Sequence, residues 1–350
     1  ASRFTTAPIV LVGGTNGKST TTALTGLMLE KAGKKTFIGG NFGIPLAEVT
    51  SESWDVLVLE ISSFQAERVP TLHARAHALL NITDDHLDRY ASFDAYAAAK
   101  GNPFAHMTGA DVAVIPAGDP LVLAQARRGA ARIVTFSSTA ATADIVMTAD
   151  AIVDRITGAR YPLALLRISG RHNIENACAS IALASALGAA PEAITAALAE
   201  FDGLGHRTAF AGEIAGVRYY DDSKGTNVGA SVAALRGLLE PRAVLIAGGR
   251  DKLGSYAPLV AALRDKGRAL VVIGEAADRI AEDVGTTVPV ERATTMADAV
   301  ARAARLARPG DAVLLSPACS SFDMFRDYKH RGDAFVQAVQ ELAQASGACS

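Results

Sequence analysis

The residues with the clearest chemistry stand together near the start: Gly14-Thr15-Asn16-Gly17-Lys18-Ser19-Thr20. They follow an apolar run over residues 8–13 and open a stretch with helical spacing over 18–32, where Leu24, Leu27, Met28 and Ala32 share a face and Gly33 marks the stop. Strand, glycine-rich turn and helix are the context a phosphate loop requires. Gly14 to Thr20 would cradle a polyphosphate with backbone N–H groups and the helix dipole. Lys18 would reach the β/γ-phosphates, and the Ser19 or Thr20 hydroxyl would ligate Mg²⁺. The strict G-x-x-x-x-G-K-[ST] pattern fails at Val12, where its first glycine would stand. Alone, this loop says "nucleotide" and leaves ATPase, GTPase, kinase and ligase open.

Further polar groups fall at the ends of apolar runs, the edge where an open α/β sheet holds its ligands. Glu60 ends the run before Ile61-Ser62-Ser63-Phe64-Gln65 and could hold Mg²⁺; a solvated acid at a strand end is the plainer reading. Asn41, after Gly39-Gly40, could cap a helix or contact phosphate. Residues 81–90 (NITDDHLDRY) follow another apolar run, and His86 could ligate a second Mg²⁺ or polarise an oxyanion. A helix cap at Thr83 or Asp84 is the alternative there, and the spacing matches no structural zinc site. Lys100 ends an Ala-rich turn and reads locally as a solvated surface lysine. Clusters at 170–173 with Asn176, at 220–227 and at 315–325 sit where such sheets place ligand loops, so with the phosphate loop they point to a substrate cleft. Cys319 has no activating base near it in sequence and reads as a small packed residue.

The elements that must position these groups form an α/β pattern. Apolar runs at 8–13, 54–59, 77–82, 111–115 and 132–136, then at 243–247, 270–274 and 312–315, alternate with helical stretches that include 173–187, 191–201, 256–266, 296–306 and 334–345. Continuous apolar strands between helices predict mostly parallel sheets covered on both faces. The second half predicts another doubly wound unit, with a boundary near residues 201–206; the low-complexity stretch 137–144 predicts a surface loop. The chain has 350 residues, 49% apolar and 20% charged, enough for two domains with large cores, which excludes global disorder. A formal net charge of −2 gives no basic field for nucleic acid. Three cysteines form no disulfide framework and fit a reducing cytosolic compartment. No apolar run reaches about 18 residues, which predicts no membrane span. The start carries no signal-peptide architecture and no initiator Met, so the chain is expected to begin mid-protein.

Taken together the motifs resemble the Mur ligase family of ATP-dependent amide ligases. The shared pieces run in order: GTNGKSTTT from Gly14, LEISSFQ from Leu59, NITDDHLDRY from Asn81, Lys100, GRHNIENA from Gly170, GHR from Gly205, DDSKGTN from Asp221, GGRDK from Gly248 and LLSPACSSFDMF from Leu314. The resemblance implies a central P-loop ATPase domain over residues 1–204 and a C-terminal Rossmann-like, amino-acid-binding domain over 205–350. The family's N-terminal UDP-anchoring domain would lie outside this chain. The LEISSFQ and SPACSSFDMF forms favour the branch that adds D-glutamate to UDP-N-acetylmuramoyl-L-alanine. The resemblance then implies ATP, an acyl phosphate, two Mg²⁺ ions, a bacterial cytoplasm and a monomer.

Carried over residue by residue, the resemblance gives Lys18 and Ser19 phosphate and Mg²⁺, Glu60 one Mg²⁺ and His86 a second. It makes Lys100 a carbamylated, metal-ligating lysine and Asn41 a phosphate or substrate contact. Arg207 and Asp222 would hold ATP as the C-terminal domain closes about a hinge near 202–206. Thr226, Lys252, Ser321, Phe322 and Tyr328 would form the D-glutamate pocket. The chain departs from the usual pattern at Val12-Gly13 before Gly14-Thr15, at Gly205, at Ala209 and in the GNPF that follows Lys100. The rivals are a related L-glutamate-adding or folylpolyglutamate-type ligase, a nucleotide-binding module without ligase activity, and a P-loop GTPase.

Overall fold

The computed structural model describes residues 2–85, 89–168, 170–251 and 254–345, so His86 and Lys252 lie outside the described residues. The chain divides into two compact units, residues 1–203 and 204–350. Among the described residues no helix is long and apolar enough to cross a membrane.

The first unit is built on β1 (Ile9–Gly13), β2 (Thr36–Gly40), β3 (Val56–Glu60), β4 (Ala76–Leu79), β5 (Val112–Pro116), β6 (Arg132–Ser137), β7 (Ile145–Met147), β8 (Ala151–Asp154) and β9 (Arg160–Pro162). They lie in the order β2-β3-β1-β4-β5-β6-β7-β8-β9; the β7–β8 and β8–β9 pairs are antiparallel and the remaining pairs parallel. The apolar runs are continuous because each strand feeds two cores. Ile9, Leu11, Leu57 and Leu59 pack with Tyr96, Ala97 and Phe104, while the alternate residues Val10, Val12, Val56 and Val58 are buried on the opposite pleat. β1 lies between β3 and β4, so the segments that leave their C-terminal ends emerge side by side.

The second unit contains β10 (Ala209–Ile214), β11 (Val217–Asp221), β12 (Ala243–Gly248), β13 (Gly267–Ile273), β14 (Val290–Arg292) and β15 (Ala312–Leu315), in the order β10-β11-β15-β12-β13-β14. Only β10 runs antiparallel. Alternation divides the strands between two cores here too: Leu245, Leu270 and Leu314 pack with Leu259, Leu263 and Ile280, whereas Val244, Val271 and Val313 pack with Val300, Phe335 and Val339. The chain's last strand is inserted between β11 and β12, which places the loops after β11, β12 and β15 next to one another.

The structure corrects two expectations and adds one extension to the sheet. The stretch 137–144 is not simply a surface loop: Ser137, Ser138 and Ala143 are buried. Ser137 Oγ accepts the N–H groups of Thr139 and Ala140, and Ser138 donates to Glu175 Oε1 at 2.6 Å, so small polar residues close a tight internal turn. The antiparallel extension β7–β9 is absent from the sequence reading because strands of three or four residues are too short to show a period. The last helix is Tyr328–Ala345, beginning ahead of the expected residue 334 with a polar first turn.

Gly248 ends β12 at φ +124°, and a Cβ there would stand 1.9 Å from Ile273 O. Gly310, at φ +87°, has open space around the same position. Gly248→Ala is therefore expected to destabilise the second unit by about 3 kcal/mol or more, and Gly310→Ala by about 1 kcal/mol. Urea midpoints of the two variants check this, and equal losses would contradict it.

Candidate functional site

The loop after β1 is held from three sides. Gly17, at φ +84°, caps the helix Lys18–Lys31 without a side-chain hydrogen bond, which leaves the first-turn N–H groups facing the loop. A Cβ at Gly17 would meet Asn176 Oδ1 at 2.4 Å, so the helix Arg171–Ala186 presses directly on the loop. Asn81, just past β4, is the second brace: its Oδ1 accepts the N–H groups of Thr15 (3.1 Å) and Asn16 (2.9 Å), and its Nδ2 donates to Asn16 O at 3.2 Å. The third is Tyr96, whose hydroxyl lies 3.1 Å from Thr15 Oγ1. Lys18 Nζ donates to Thr15 O at 2.8 Å, folded back over the loop.

Glu60, at the end of β3, is buried beside this loop. Asn41 Nδ2 donates to Glu60 Oε1 at 2.8 Å, and the Ser19 hydroxyl donates to Oε2. Asn41 N–H also bonds Glu60 O at 2.9 Å, which ties the ends of β2 and β3 together. The three residues singled out separately in the sequence thus form one cluster of oxygen and amide groups. Among the described residues no three His, Cys, Asp or Glu side chains converge as a metal cage.

Lys100 corrects the local reading. It is 5% exposed, not solvated, and its Nζ donates to Gly14 O at 2.8 Å. The helix Phe93–Gly101 turns Tyr96 and Lys100, four residues apart, to the same face. The amine lies 4.7 Å from the Tyr96 ring centroid. Burial, and secondarily the Lys18 charge, hold its pKa well below the usual lysine value. His77 on β4 is a further buried group that the sequence reading did not single out. Its Nδ1 lies 3.2 Å from Leu11 O, and burial pushes its pKa down to about 4, so it is neutral at physiological pH.

In the second unit the loops after β11 and β15 meet. Asp222 is buried; Ser316 donates to its Oδ2 at 2.6 Å and Thr208 N–H to its Oδ1 at 3.2 Å. Burial pushes its pKa up to about 7 against the opposing Ser316 bond and the Arg207 charge. His206 and Thr208, on either side of Arg207, both adopt positive φ, and His206 Nδ1 lies 2.6 Å from Asp221 Oδ2. Ser223 Oγ donates to Tyr328 O at 2.8 Å, and Lys224 Nζ lies 4.1 Å from the Tyr328 ring. Thr226 is half-buried on the same turn and Ser321 is buried, whereas Phe322 is 67% exposed. Cys319 is packed as expected; burial raises its thiol pKa to about 11.

Arg331 went unnoticed in the sequence because an arginine in the first turn of a terminal helix carries no local signal. It is fully buried and donates to Ser223 Oγ (3.0 Å), Ser223 O (2.9 Å) and Cys319 O (3.2 Å), joining the two loops.

A buried carboxyl with a raised pKa binds its proton more tightly folded than unfolded. Asp222 therefore stabilises the fold fully below its unfolded value of 3.8, and that contribution is lost as pH rises through about 7. Asp222→Asn is expected to flatten this fall. Urea midpoints between pH 4 and 8 check it, and an unchanged slope would contradict it.

Residues 12–184 match the Mur ligase middle domain, and residues 206–319 the Mur ligase glutamate ligase domain. The UDP-N-acetylmuramoylalanine--D-glutamate ligase of Geobacter metallireducens is 47% identical over 347 residues, covering 98% of this chain and 76% of that protein. Its namesake in Geotalea daltonii is 45% identical over 348 residues, covering 98% of this chain and 77% of its own length. Among solved structures, Thermotoga maritima MurF ligase in complex with ADP aligns with a TM-score of 0.74 at 18% identity, over 96% of this chain and 81% of that one. Mycobacterium tuberculosis folylpolyglutamate synthase complexed with ADP also gives 0.74, at 16% identity, over 97% of this chain and 91% of that one. Those two likenesses concern the fold. With both units matched, and close to half of all positions shared with relatives along nearly its whole length, the chain belongs to the Mur ligase family.

Proposed function

We infer that this chain carries the catalytic units of an ATP-dependent ligase that joins D-glutamate to UDP-N-acetylmuramoyl-L-alanine in peptidoglycan precursor synthesis, inside the bacterial cytoplasm. The observation that carries the nucleotide chemistry is the meeting of Ser19, Glu60, Asn41 and Lys100 around the braced loop 14–17. The acceptor amino acid is argued from the relatives' identity along the chain.

The difficulty of this reaction is that two anions must meet, a substrate carboxylate and the γ-phosphate. The N–H groups of the first helical turn and Lys18 bind the β/γ-phosphates with Thr20 beside them, while the N–H groups of Thr15 and Asn16 are taken by Asn81 and shape the loop. Ser19 and Glu60 would hold Mg²⁺, and the fit is chemical: a hydroxyl and one carboxylate are hard oxygen donors, and Mg²⁺ keeps waters and phosphate oxygens in its other positions. When bound, Mg²⁺ neutralises charge between phosphate and carboxylate. The substrate carboxylate oxygen then bonds the γ-phosphorus as the bond to ADP breaks. The neutral D-glutamate amine bonds the acyl carbon, the carbon–oxygen bond to phosphate breaks, and the nitrogen passes its extra proton to the departing phosphate or solvent as the amide forms. Arg207 and Asp222 belong to the nucleotide side of the second unit, and Thr226, Ser321, Phe322 and Tyr328 to the amino-acid side; His86 and Lys252 keep the metal and glutamate-carboxylate roles the family resemblance gives them.

Lys100 is suited to carbamylation because the neutral amine is the form that adds CO₂, giving a carbamate and releasing one proton. Its burial favours that neutral form. The product is an anion in a place where a second cationic amine beside Lys18 is costly.

ADP release measured with Mg²⁺, ATP, UDP-N-acetylmuramoyl-L-alanine and a panel of amino acids is expected to depend on D-glutamate. Release with L-glutamate, L-lysine or diaminopimelate instead would overturn the reading. Glu60→Gln and Lys18→Met are each expected to lower kcat by about 100-fold or more. Carbon-13 bicarbonate is expected to give a carbamate resonance that Lys100→Met abolishes; the same spectrum from both proteins would contradict the carbamate.

A further inference from the structure

The loop that follows β12 ends in a hydrogen-bonded chain that no role above uses. Arg250 and Ser320 exchange backbone hydrogen bonds, Arg250 N–H to Ser320 O at 2.9 Å and Ser320 N–H to Arg250 O at 3.2 Å. Gly248 N–H donates to Pro317 O at 2.8 Å, so the segments 248–251 and 317–320 are zipped together. Side chains extend the seam. Tyr256, buried at the start of the helix Ala257–Lys266, puts its hydroxyl 3.1 Å from Asp251 Oδ1 and 3.1 Å from Cys319 Sγ. Arg279, on the helix Ala277–Val284, donates to Asp251 Oδ2 and, at 2.6 Å, to Gly254 O. Its guanidinium lies 5.1 Å from the Tyr256 ring centroid.

The donor count gives this chain a direction. A phenol has one proton; Tyr256 donates it to Asp251, so its oxygen is left to accept from the Cys319 thiol. The thiol keeps its proton because burial raises its pKa. The sequence Cys319 to Tyr256 to Asp251, with Arg279 donating to the same carboxylate, is satisfied at every link. It joins the loop after β12 to the loop that bears Ser321 and Phe322.

We propose that Arg279, Asp251 and Tyr256 are positioning residues that set the KM for the acceptor amino acid by locking the segment leading into residue 252 against the loop 316–322. The inference rests on the functional reading above, in that these loops receive the acceptor. None of the three need touch substrate. They act through the loops they hold, at distances where small displacements matter for a charged ligand.

The test is steady-state kinetics on the complete natural protein with Arg279→Met, Arg279→Lys, Tyr256→Phe and the Arg279→Met/Tyr256→Phe pair. Arg279→Met and Tyr256→Phe are each expected to raise KM for D-glutamate about fivefold, with kcat and KM for ATP within about twofold. The pair is expected to cost less than the product of the singles, because both act on one carboxylate. Arg279→Lys, which keeps a cation, is expected to recover part of the loss. An unchanged amino-acid KM would overturn the proposal. So would a common fall in kcat, both KM values and the melting midpoint, which marks a purely structural role. If the wild type turns over a different amino acid, the functional reading fails, and the same KM comparison on that acceptor decides this proposal separately.

Discussion

A phosphate loop must present backbone N–H groups outward while its own polar atoms remain satisfied, and a short turn cannot do that alone. Here Asn81 takes two loop N–H groups and returns one hydrogen bond, Tyr96 meets Thr15, and Asn176 fills the space that a side chain at Gly17 would occupy. These braces come from the end of β4, the helix Phe93–Gly101 and the helix Arg171–Ala186. The rest of the first unit can be understood as the scaffold that delivers them. The order β3-β1-β4 puts Glu60 on one side of the loop and Asn81 on the other.

The same device recurs in the second unit with different chemistry. β15 is inserted between β11 and β12, so polar turns distant in sequence become neighbours. Asp222 sits where they meet, bonded by Ser316 and Thr208, with a carboxyl that burial brings into the physiological range. Arg331 joins Ser223 to Cys319, using its planar fork on two carbonyls and a hydroxyl. Both units therefore spend buried polar groups on holding loops. That is costly for stability, and useful where geometry must not drift.

Lys100 shows why local reading fails at such sites. An Ala-rich turn ending in lysine has the composition of a solvated helix face. Its environment is made by the loop after β1 and by Tyr96, neither of which marks it in the neighbouring sequence. His77 and Arg331 are invisible for the same reason: one lies in an apolar strand and the other in a polar helical turn, and only packing makes either unusual.

By itself the sequence determined the α/β class, the phosphate loop and most of the long strands, because these rest on local rules: apolar runs, glycine placement and helix spacing. It also marked Ser19 in the phosphate loop, and Asn41, Glu60 and Asp222 as further candidate polar groups. Tertiary structure decided which of them meet. Strand order is set by crossovers between elements many residues apart, and no local pattern encodes that Asn41 faces Glu60 or that Ser316 faces Asp222. The short strands β7–β9, the inward turn of Lys100 and the Arg331 tie were likewise settled by packing. Burial and desolvation are properties of the assembled neighbourhood, and they act on a side chain without leaving a mark in the residues beside it.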